Sequence, residues 1–235
     1  MQPIPVMEDV IQEKSGISSF LLKVYNWMVL GLGITAVVSL GVEFGLPGIR
    51  RVMLENIFIF YGLLILELAI VWGLSSVLNR IPSMLGVLVF FFYAALNGLT
   101  LSIIFLVYNI GSISVTFVVT AGMFAGTSLL GYVTKMDLSR MGSFLMMALM
   151  GLILASIVNL FLNATALEFI ISFAGVVIFV GLTAWDTQKI KKWGSSIESG
   201  SEEGTKASIM GALMLYLDFI NMFLFMLRLF GRGDD

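Results

Sequence analysis

Three carboxylate side chains interrupt stretches of the chain that are otherwise apolar. Glu67 lies in LILELAI at 64–70, Asp186 in LTAWDTQKIKKW at 182–193, and Asp218 in LMLYLDFINMFLF at 213–225. An ionisable residue inside a bilayer costs roughly 2.5–3.5 kcal/mol on insertion scales, so each carboxylate indicates a function unless a structural hydrogen bond explains it. Carboxyl groups bind and release protons, so these residues could sense pH in a chain without histidine.

Asp218 and Glu67 are predicted to lie near the middle of the bilayer. Each is about eleven residues into an apolar run, which is about 16 Å along a helix and close to half the thickness of the hydrocarbon core. Asn221 follows Asp218 by three residues and shares its helix face. The alternative for both carboxyls is a structural role, in which a protonated side chain holds two helices together through a hydrogen bond.

Asp186 occupies a different place, at the end of the sixth apolar run. Lys189 is at i+3, so the residues by themselves favour a surface ion pair worth a few tenths of a kcal/mol over a function. Counted by rise per residue, Asp186 and Asp218 lie roughly 10–15 Å apart along the membrane normal. Spacing alone does not pair them. They meet if the sixth helix continues through Lys191 or Lys192 and the seventh helix starts late or tilts.

The elements that must position these residues are transmembrane helices. The 235 residues are 59% hydrophobic and 12% charged, whereas a soluble domain carries about 25% charged residues. A span needs about 20 mostly apolar residues, and the 24 glycines sit largely within the apolar runs, where small residues let helices pack closely. The sequence therefore predicts an all-α integral membrane protein with seven spans, at 24–42, 56–78, 82–107, 110–133, 142–162, 167–187 and 207–230.

One seven-helix domain at 24–231 is predicted, with an N-terminal cytoplasmic segment at 1–23 and a C-terminal tail at 232–235. Basic residues favour the cytoplasmic side of a membrane. This rule places the N-terminus in the cytoplasm and, with seven spans, the C-terminus outside. The loops on the N-terminal side hold nine basic residues and the other side four: Lys14, Lys23, Arg80, Lys135, Arg140, Lys189, Lys191, Lys192 and Lys206 against Arg50, Arg51, Arg228 and Arg232.

Several classes of function are disfavoured by composition. The chain contains no histidine and no cysteine, so it lacks a Ser/His triad, the usual zinc ligands and an imidazole proton switch. Neither Asp186 nor Asp218 stands in the Gly-x-Gly-Asp context of an intramembrane protease, and there is no phosphate-binding glycine loop. We therefore predict a non-enzyme without a cofactor. The net charge of -2 does not indicate nucleic acid as a partner; the partner is the lipid bilayer.

Three motifs of the chain are specific: Thr-Lys-x-Asp-Leu at 134–138, Asp-Thr-Gln-Lys-Ile at 186–190 and Tyr-Leu-Asp-Phe-Ile-Asn at 216–221. Together with the stretches around them, they closely resemble the bacterial branch of the Bax inhibitor family, also called TMBIM proteins. The resemblance runs from about residue 20 to the end. It implies a bundle in which the seventh helix is central and the other six wrap it, a pH-sensitive calcium leak, and an inner-membrane location in bacteria.

The resemblance also implies roles for individual residues. Aspartates on the sixth and seventh helices of the family face each other as a proton-sensing pair, and they correspond to Asp186 and Asp218. A glutamate on the second helix of some bacterial relatives corresponds to Glu67. The arginine near the end of that helix, which binds the aspartate pair, has its nearest counterpart in Arg80, although the family arginine sits slightly earlier.

These expectations combine into a gating hypothesis. Two adjacent carboxylates cannot both ionise without a cost in free energy, so they titrate as a unit. A shared proton, or a bridge to Arg80, would hold the helices closed. Calcium would pass Asp186, Asp218, Glu67 and Asn221 with only transient ligation, since conduction requires that ions leave and therefore disfavours a tight metal site.

Two other classes of function stay open at this point. One is a non-conducting protein that regulates other membrane proteins; the family's link to stress and cell-death protection fits this class and the channel equally. In that case the carboxylates only hold the bundle together. The other is a proton-coupled transporter, in which flux saturates with substrate and requires a proton gradient.

Overall fold

The computed structural model describes residues 5–197 and 200–231, and every regular element in this part of the chain is a helix. The predicted tail at 232–235, residues 1–4 and the side chain of Lys14 lie outside the described part. The helices are α1 (Pro5–Gly45), α2 (Pro47–Glu55), α3 (Ile57–Val77), α4 (Ser83–Leu101), α5 (Ile110–Val133), α6 (Ser139–Leu162), α7 (Thr165–Gly194) and α8 (Glu202–Phe230), with 3-10 turns at Leu78–Arg80 and Ser102–Leu106.

Seven of these helices are long and apolar enough to cross a membrane, namely α1 from Gly16 onward and α3 to α8. This confirms the predicted all-α fold with seven membrane-spanning helices. The short helix α2 was not predicted, because its stretch was interpreted only as a break between spans. Pro47 stands at the start of α2, where its fixed φ suits the first helical turn. At nine residues, α2 is too short to cross a bilayer.

Polar residues end the spans where the sequence predicted breaks. The side chain of Asn109 accepts a hydrogen bond from the backbone N–H of Ser112 at 2.8 Å, which caps the start of α5. Asn163 adopts φ 47°, ψ 38° after α6, a left-handed conformation that asparagine tolerates better than most residues. These two asparagines mark helix ends, before α5 and after α6, at which the hydropathy of the sequence changes little.

The described helices form two compact units. The first comprises Met1–Leu106 and Lys191–Leu213. In it the hydroxyl of Thr35 on α1 donates to the carbonyl of Ala94 on α4 at 2.9 Å. Gly98 lies against the backbone of Thr35, where a Cβ would overlap the Thr35 carbonyl. Small residues therefore hold α1 and α4 together at close range.

The second unit comprises Val107–Ile190 and Met214–Asp235. It contains α5, α6, most of α7 and the second part of α8. Phe219 on α8 meets two rings of α5 edge-to-face, with centroid distances of 5.3 Å to Phe117 and 5.6 Å to Phe124. Both Asp186 and Asp218 belong to this unit.

Helix α8 is the most buried span. In its most apolar window 67% of the residues are buried, against 11% in α3 and α6. Such burial is what a helix enclosed by others would have. The central position of the seventh span, which the family resemblance implied, stays a prediction.

Candidate functional site: a buried aspartate pair

Asp186 lies inside a helix and away from solvent. Helix α7 continues through Lys191 and Lys192 to Gly194, so Asp186 is about two turns before its end. Its side chain is only 7% exposed. The interpretation as a surface ion pair is therefore wrong: Lys189 acts on Asp186 electrostatically, but the carboxylate is buried.

The register of α7 and α8 brings Asp186 level with Asp218. The rings of Phe179 on α7 and Phe225 on α8 stack with centroids 5.9 Å apart. The two helices run in opposite directions, and each aspartate is two turns from its phenylalanine, on the same helix face. The predicted offset of 10–15 Å is therefore wrong, because it treated the end of the sixth span and the start of the seventh as level. Helix α8 extends further from Asp218 than α7 does from Asp186. Helix α8 begins at Glu202, so a late start of the seventh helix does not contribute.

The paired carboxyl groups are buried within the protein. Asp218 is 4% exposed and interacts electrostatically with Asp186. Within the described part of the chain, Asp186 Oδ1 and Asp218 Oδ2 are buried and accept no hydrogen bond. An unsatisfied buried polar atom costs about 1–3 kcal/mol. The site is therefore suited to take up a proton or to contact a passing cation, either of which would offset this cost.

The two residues after Asp186 anchor this part of α7. The hydroxyl of Thr187 lies 2.9 Å from that of Ser128 on α5. The Gln188 side chain binds the loop before α6 twice: its Nε2 donates to the Met136 carbonyl at 2.8 Å, and its Oε1 accepts from the Leu138 N–H at 2.9 Å. Both motifs, Asp-Thr-Gln and Thr-Lys-x-Asp-Leu, were recognised in the sequence, but the hydrogen bonds between them were not predicted. The signal was that both motifs hold several polar residues next to apolar runs, which suggests that they satisfy each other's hydrogen bonds.

Close glycine contacts flank the pair. A Cβ on Gly131 of α5 would overlap the carbonyl of Ala184, and one on Gly142 of α6 would overlap the ring of Trp185. These positions confirm the prediction of close packing at glycine. At other glycines the prediction was wrong, because a Cβ would meet nothing within 4 Å at Gly33, Gly122 and Gly126.

Glu67 occupies a separate buried site in the first unit. It is 7% exposed, and its Oε2 accepts from the Asn97 side-chain amide at 3.1 Å. Its Oε1 contacts the hydroxyl of Thr100, which also lies 2.8 Å from the Leu96 carbonyl. A hydroxyl has one proton. If Thr100 donates it to Leu96, Glu67 must carry a proton and donate to Thr100.

This geometry supports the structural alternative for Glu67, and it yields a prediction. In Glu67→Gln the side-chain oxygen accepts from Asn97 and the amide donates to Thr100, so we expect thermal stability close to that of the wild type. Glu67→Ala leaves both α4 side chains without their partner, and we expect a loss of about 1–3 kcal/mol. Thermal unfolding in detergent measures both.

Leu68→Ala is the control, because Leu68 is adjacent on α3 and 65% exposed. We expect it to change stability less than Glu67→Ala does. Equal melting of Glu67→Ala and the wild type would contradict a structural role for the carboxyl.

The other predicted site residues lie apart from these contacts. Asn221 is one turn after Asp218, and its amide donates to the Leu217 carbonyl at 2.8 Å. Arg80 ends the 3-10 turn after α3 and is exposed. It belongs to the first unit, and its role as a latch stays a prediction.

Seven apolar helices with a buried aspartate pair on two of them define an integral, multi-pass helical membrane protein. The model of the family described as Inhibitor of apoptosis-promoting Bax1 matches residues 17–235. The chain belongs to this family, the Bax inhibitor family, as its motifs suggested.

Relatives in diverse bacteria match over nearly their whole length. Inner membrane protein YbhL of Escherichia coli K12 is 44% identical over 233 residues, which is 99% of each chain. An uncharacterised protein of Borreliella burgdorferi is 42% identical over 229 residues, 96% of this chain and 98% of its own. Protein YrjE of Lactococcus lactis is 39% identical over 221 residues, 94% and 93% of the two chains.

Proposed function

We propose that this protein is a calcium-permeable leak channel of a bacterial inner membrane, gated by protonation of Asp186 and Asp218. The observation that carries the proposal is the register of α7 and α8, which places two buried carboxyls at one level where each keeps an oxygen without a protein partner. We further propose that the protein catalyses no reaction, and that its N-terminus faces the cytoplasm.

The gate follows from the chemistry of two adjacent acids. With one proton between them, the two carboxyl groups can share a hydrogen bond and attract each other. Without it, two like charges repel inside the protein, where the effective dielectric is lower and the repulsion is stronger than in water. Proton binding therefore shifts an equilibrium between two arrangements of α7 and α8. The size of the shift equals the difference in proton-binding free energy between the two arrangements.

The permeant ion is proposed from the donors that the site offers. Ca²⁺ is bound by carboxylate and carbonyl oxygens and takes six to eight ligands in a stable site. Among the described residues, no group of three or more Asp, Glu, His or Cys side chains converges. Asp186 and Asp218 would therefore bind Ca²⁺ loosely, which allows an ion to leave.

Calcium flux into dye-loaded liposomes tests the gate. We expect wild-type flux to change about tenfold between pH 5 and pH 8, which corresponds to a shift of about 1.4 kcal/mol between the two arrangements. In Asp186→Asn and Asp218→Asn the flux should depend little on pH, because the pair can no longer change charge as a unit. Glu55→Gln removes a carboxylate that is 61% exposed and should behave as the wild type does.

Each other outcome of this series points elsewhere. Flux no greater than in empty vesicles rejects the channel and favours the non-conducting regulatory protein. The same pH profile in Asp218→Asn and the wild type rejects the gate but keeps the channel. Flux that saturates and requires a proton gradient identifies a proton-coupled transporter.

A further inference from the structure

A cavity of about 660 Å³ lies between α6, α7 and α8 in the second unit. Its α6 wall runs from Leu149 to Asn163, which is about 21 Å along the helix. The remaining wall belongs mainly to α7 and α8. Since a water molecule takes about 30 Å³ of liquid volume, the cavity has room for about twenty waters.

One end of the cavity is charged. Glu168 at the start of α7 and Arg228 near the end of α8 line it together with Tyr108. Both charged groups act on Tyr108: burial raises the pKa of its hydroxyl, Arg228 opposes this effect and Glu168 adds to it. The Arg228 guanidinium lies 5.7 Å from the centroid of the Phe225 ring. The two opposite charges therefore stand at the same mouth.

The other end of the cavity approaches the aspartate pair. Asn221, which is one helical turn from Asp218, lines the wall, as does Phe179, which is two turns from Asp186. The α6 wall is partly polar because Ser156, Asn159 and Asn163 contribute to it. Ser156 and Asn159 already bond within the protein: the Ser156 hydroxyl donates to the Leu152 carbonyl at 2.8 Å, and Asn159 Oδ1 accepts from the Ala164 N–H at 3.1 Å. A lipid chain would instead have to take the charged side chains of Glu168 and Arg228 at the mouth out of water, which costs free energy. Water is therefore the favoured occupant.

We propose that this cavity is a water-filled vestibule through which cations reach Asp218, with Glu168 and Arg228 setting the electrostatic potential at its mouth. The mouth lies at the end of α8, which is the outer side in the predicted orientation. The identity of the cation rests on the proposed channel function; the access of water and charge to the cavity does not.

Cysteine labelling tests this directly because the natural chain has no cysteine. Single variants Ser156→Cys and Asn221→Cys place a thiol on two different helices of the wall. Leu154→Cys is the matched control: it is two residues from Ser156 on α6, points away from the cavity side and is 61% exposed. Each is reconstituted in liposomes and treated with a cationic and an anionic methanethiosulfonate reagent.

We expect both wall cysteines to react at least about tenfold faster than Leu154→Cys, because only a hydrated thiol ionises to the reactive thiolate. In the Ser156→Cys background, Glu168→Gln should lower the ratio of cationic to anionic rates. Arg228→Gln should raise it. Each change should be about two- to fivefold, as expected for one charge a few ångströms from a hydrated path.

The possible failures of the two proposals are distinguishable. If both wall cysteines react as slowly as Leu154→Cys, hydrocarbon fills the cavity and the vestibule is wrong, whatever the calcium flux. If the ratio of cationic to anionic rates stays the same in Glu168→Gln and in Arg228→Gln, these two charges do not set the potential at the mouth. Reactive wall cysteines in a protein without calcium flux keep the vestibule and reject the channel.

Discussion

Asp218→Asn is expected to make the solubilised protein more resistant to heat at alkaline pH than the wild type. At high pH both members of the pair lose their protons, and two buried negative charges repel each other across α7 and α8. Asparagine removes one charge and keeps the shape of the side chain. We expect a gain of about 0.5–3 kcal/mol, the usual range for coupling between neighbouring residues, and therefore an increase of up to several degrees in melting temperature for a chain of this size.

The sign of this effect depends on pH. The wild type should lose stability as pH rises and the pair gives up its proton, because the unfolded chain holds the ionised carboxyls in water. The Asp218→Asn and Asp186→Asn variants should lose less stability than the wild type over the same rise in pH. At acid pH, where the pair is protonated, the difference between each variant and the wild type should shrink.

A double-mutant cycle separates the pair from other effects. Once either aspartate is replaced, the repulsion is gone, so the second replacement should add little stability. The double variant should therefore fall short of the sum of the single variants. Strict additivity, together with an unchanged pH profile in all variants, would show that the two carboxyls do not interact.

Gly131→Ala is expected to have the second large effect, a loss of about 1–3 kcal/mol, which is typical of overpacking. The added methyl group overlaps the Ala184 carbonyl on α7, and backbone atoms inside a helix cannot move aside alone. Helix α7 must shift instead. Because Ala184 is two residues before Asp186, we also expect a changed pH dependence of calcium flux.

Gly126→Ala is the matched control on the same helix. A Cβ at Gly126 meets nothing within 4 Å, so the change should be neutral or slightly stabilising, since alanine favours a helix by about 1 kcal/mol over glycine. Thermal unfolding of the two variants in one detergent gives the comparison. Equal stability of Gly131→Ala and Gly126→Ala would mean that α5 and α7 do not depend on this close contact.

The burial of Glu67 and Asp218 and the number of spans were predictable from the sequence. Both follow from local composition, because a run of about 20 apolar residues crosses a bilayer whatever its neighbours are. The same holds for the helix ends at Asn109, whose side chain caps the adjacent backbone, and at Asn163, whose backbone adopts the left-handed conformation that asparagine tolerates. Glu67 and Asp218 were therefore identified as buried carboxyls before any contact was known.

Hydropathy ended the sixth span at residue 187, where polar residues begin, yet α7 continues to Gly194. Thr187 and Gln188 are buried there because Ser128 and the loop before α6 satisfy their hydrogen bonds. Local hydropathy cannot detect these partners, because they lie 59 and 50 residues away in the sequence. The depth of Asp186 was therefore misjudged.

Only the tertiary structure decided what each carboxyl faces. Asp186 and Asp218 meet through the antiparallel register of α7 and α8, whereas Glu67 meets Asn97 and Thr100 on α4. The sequence by itself determined that the chain folds as seven membrane helices containing acidic residues, since transfer into lipid depends on each segment alone. Which acid pairs with which partner depends on helix packing, and packing depends on the whole chain.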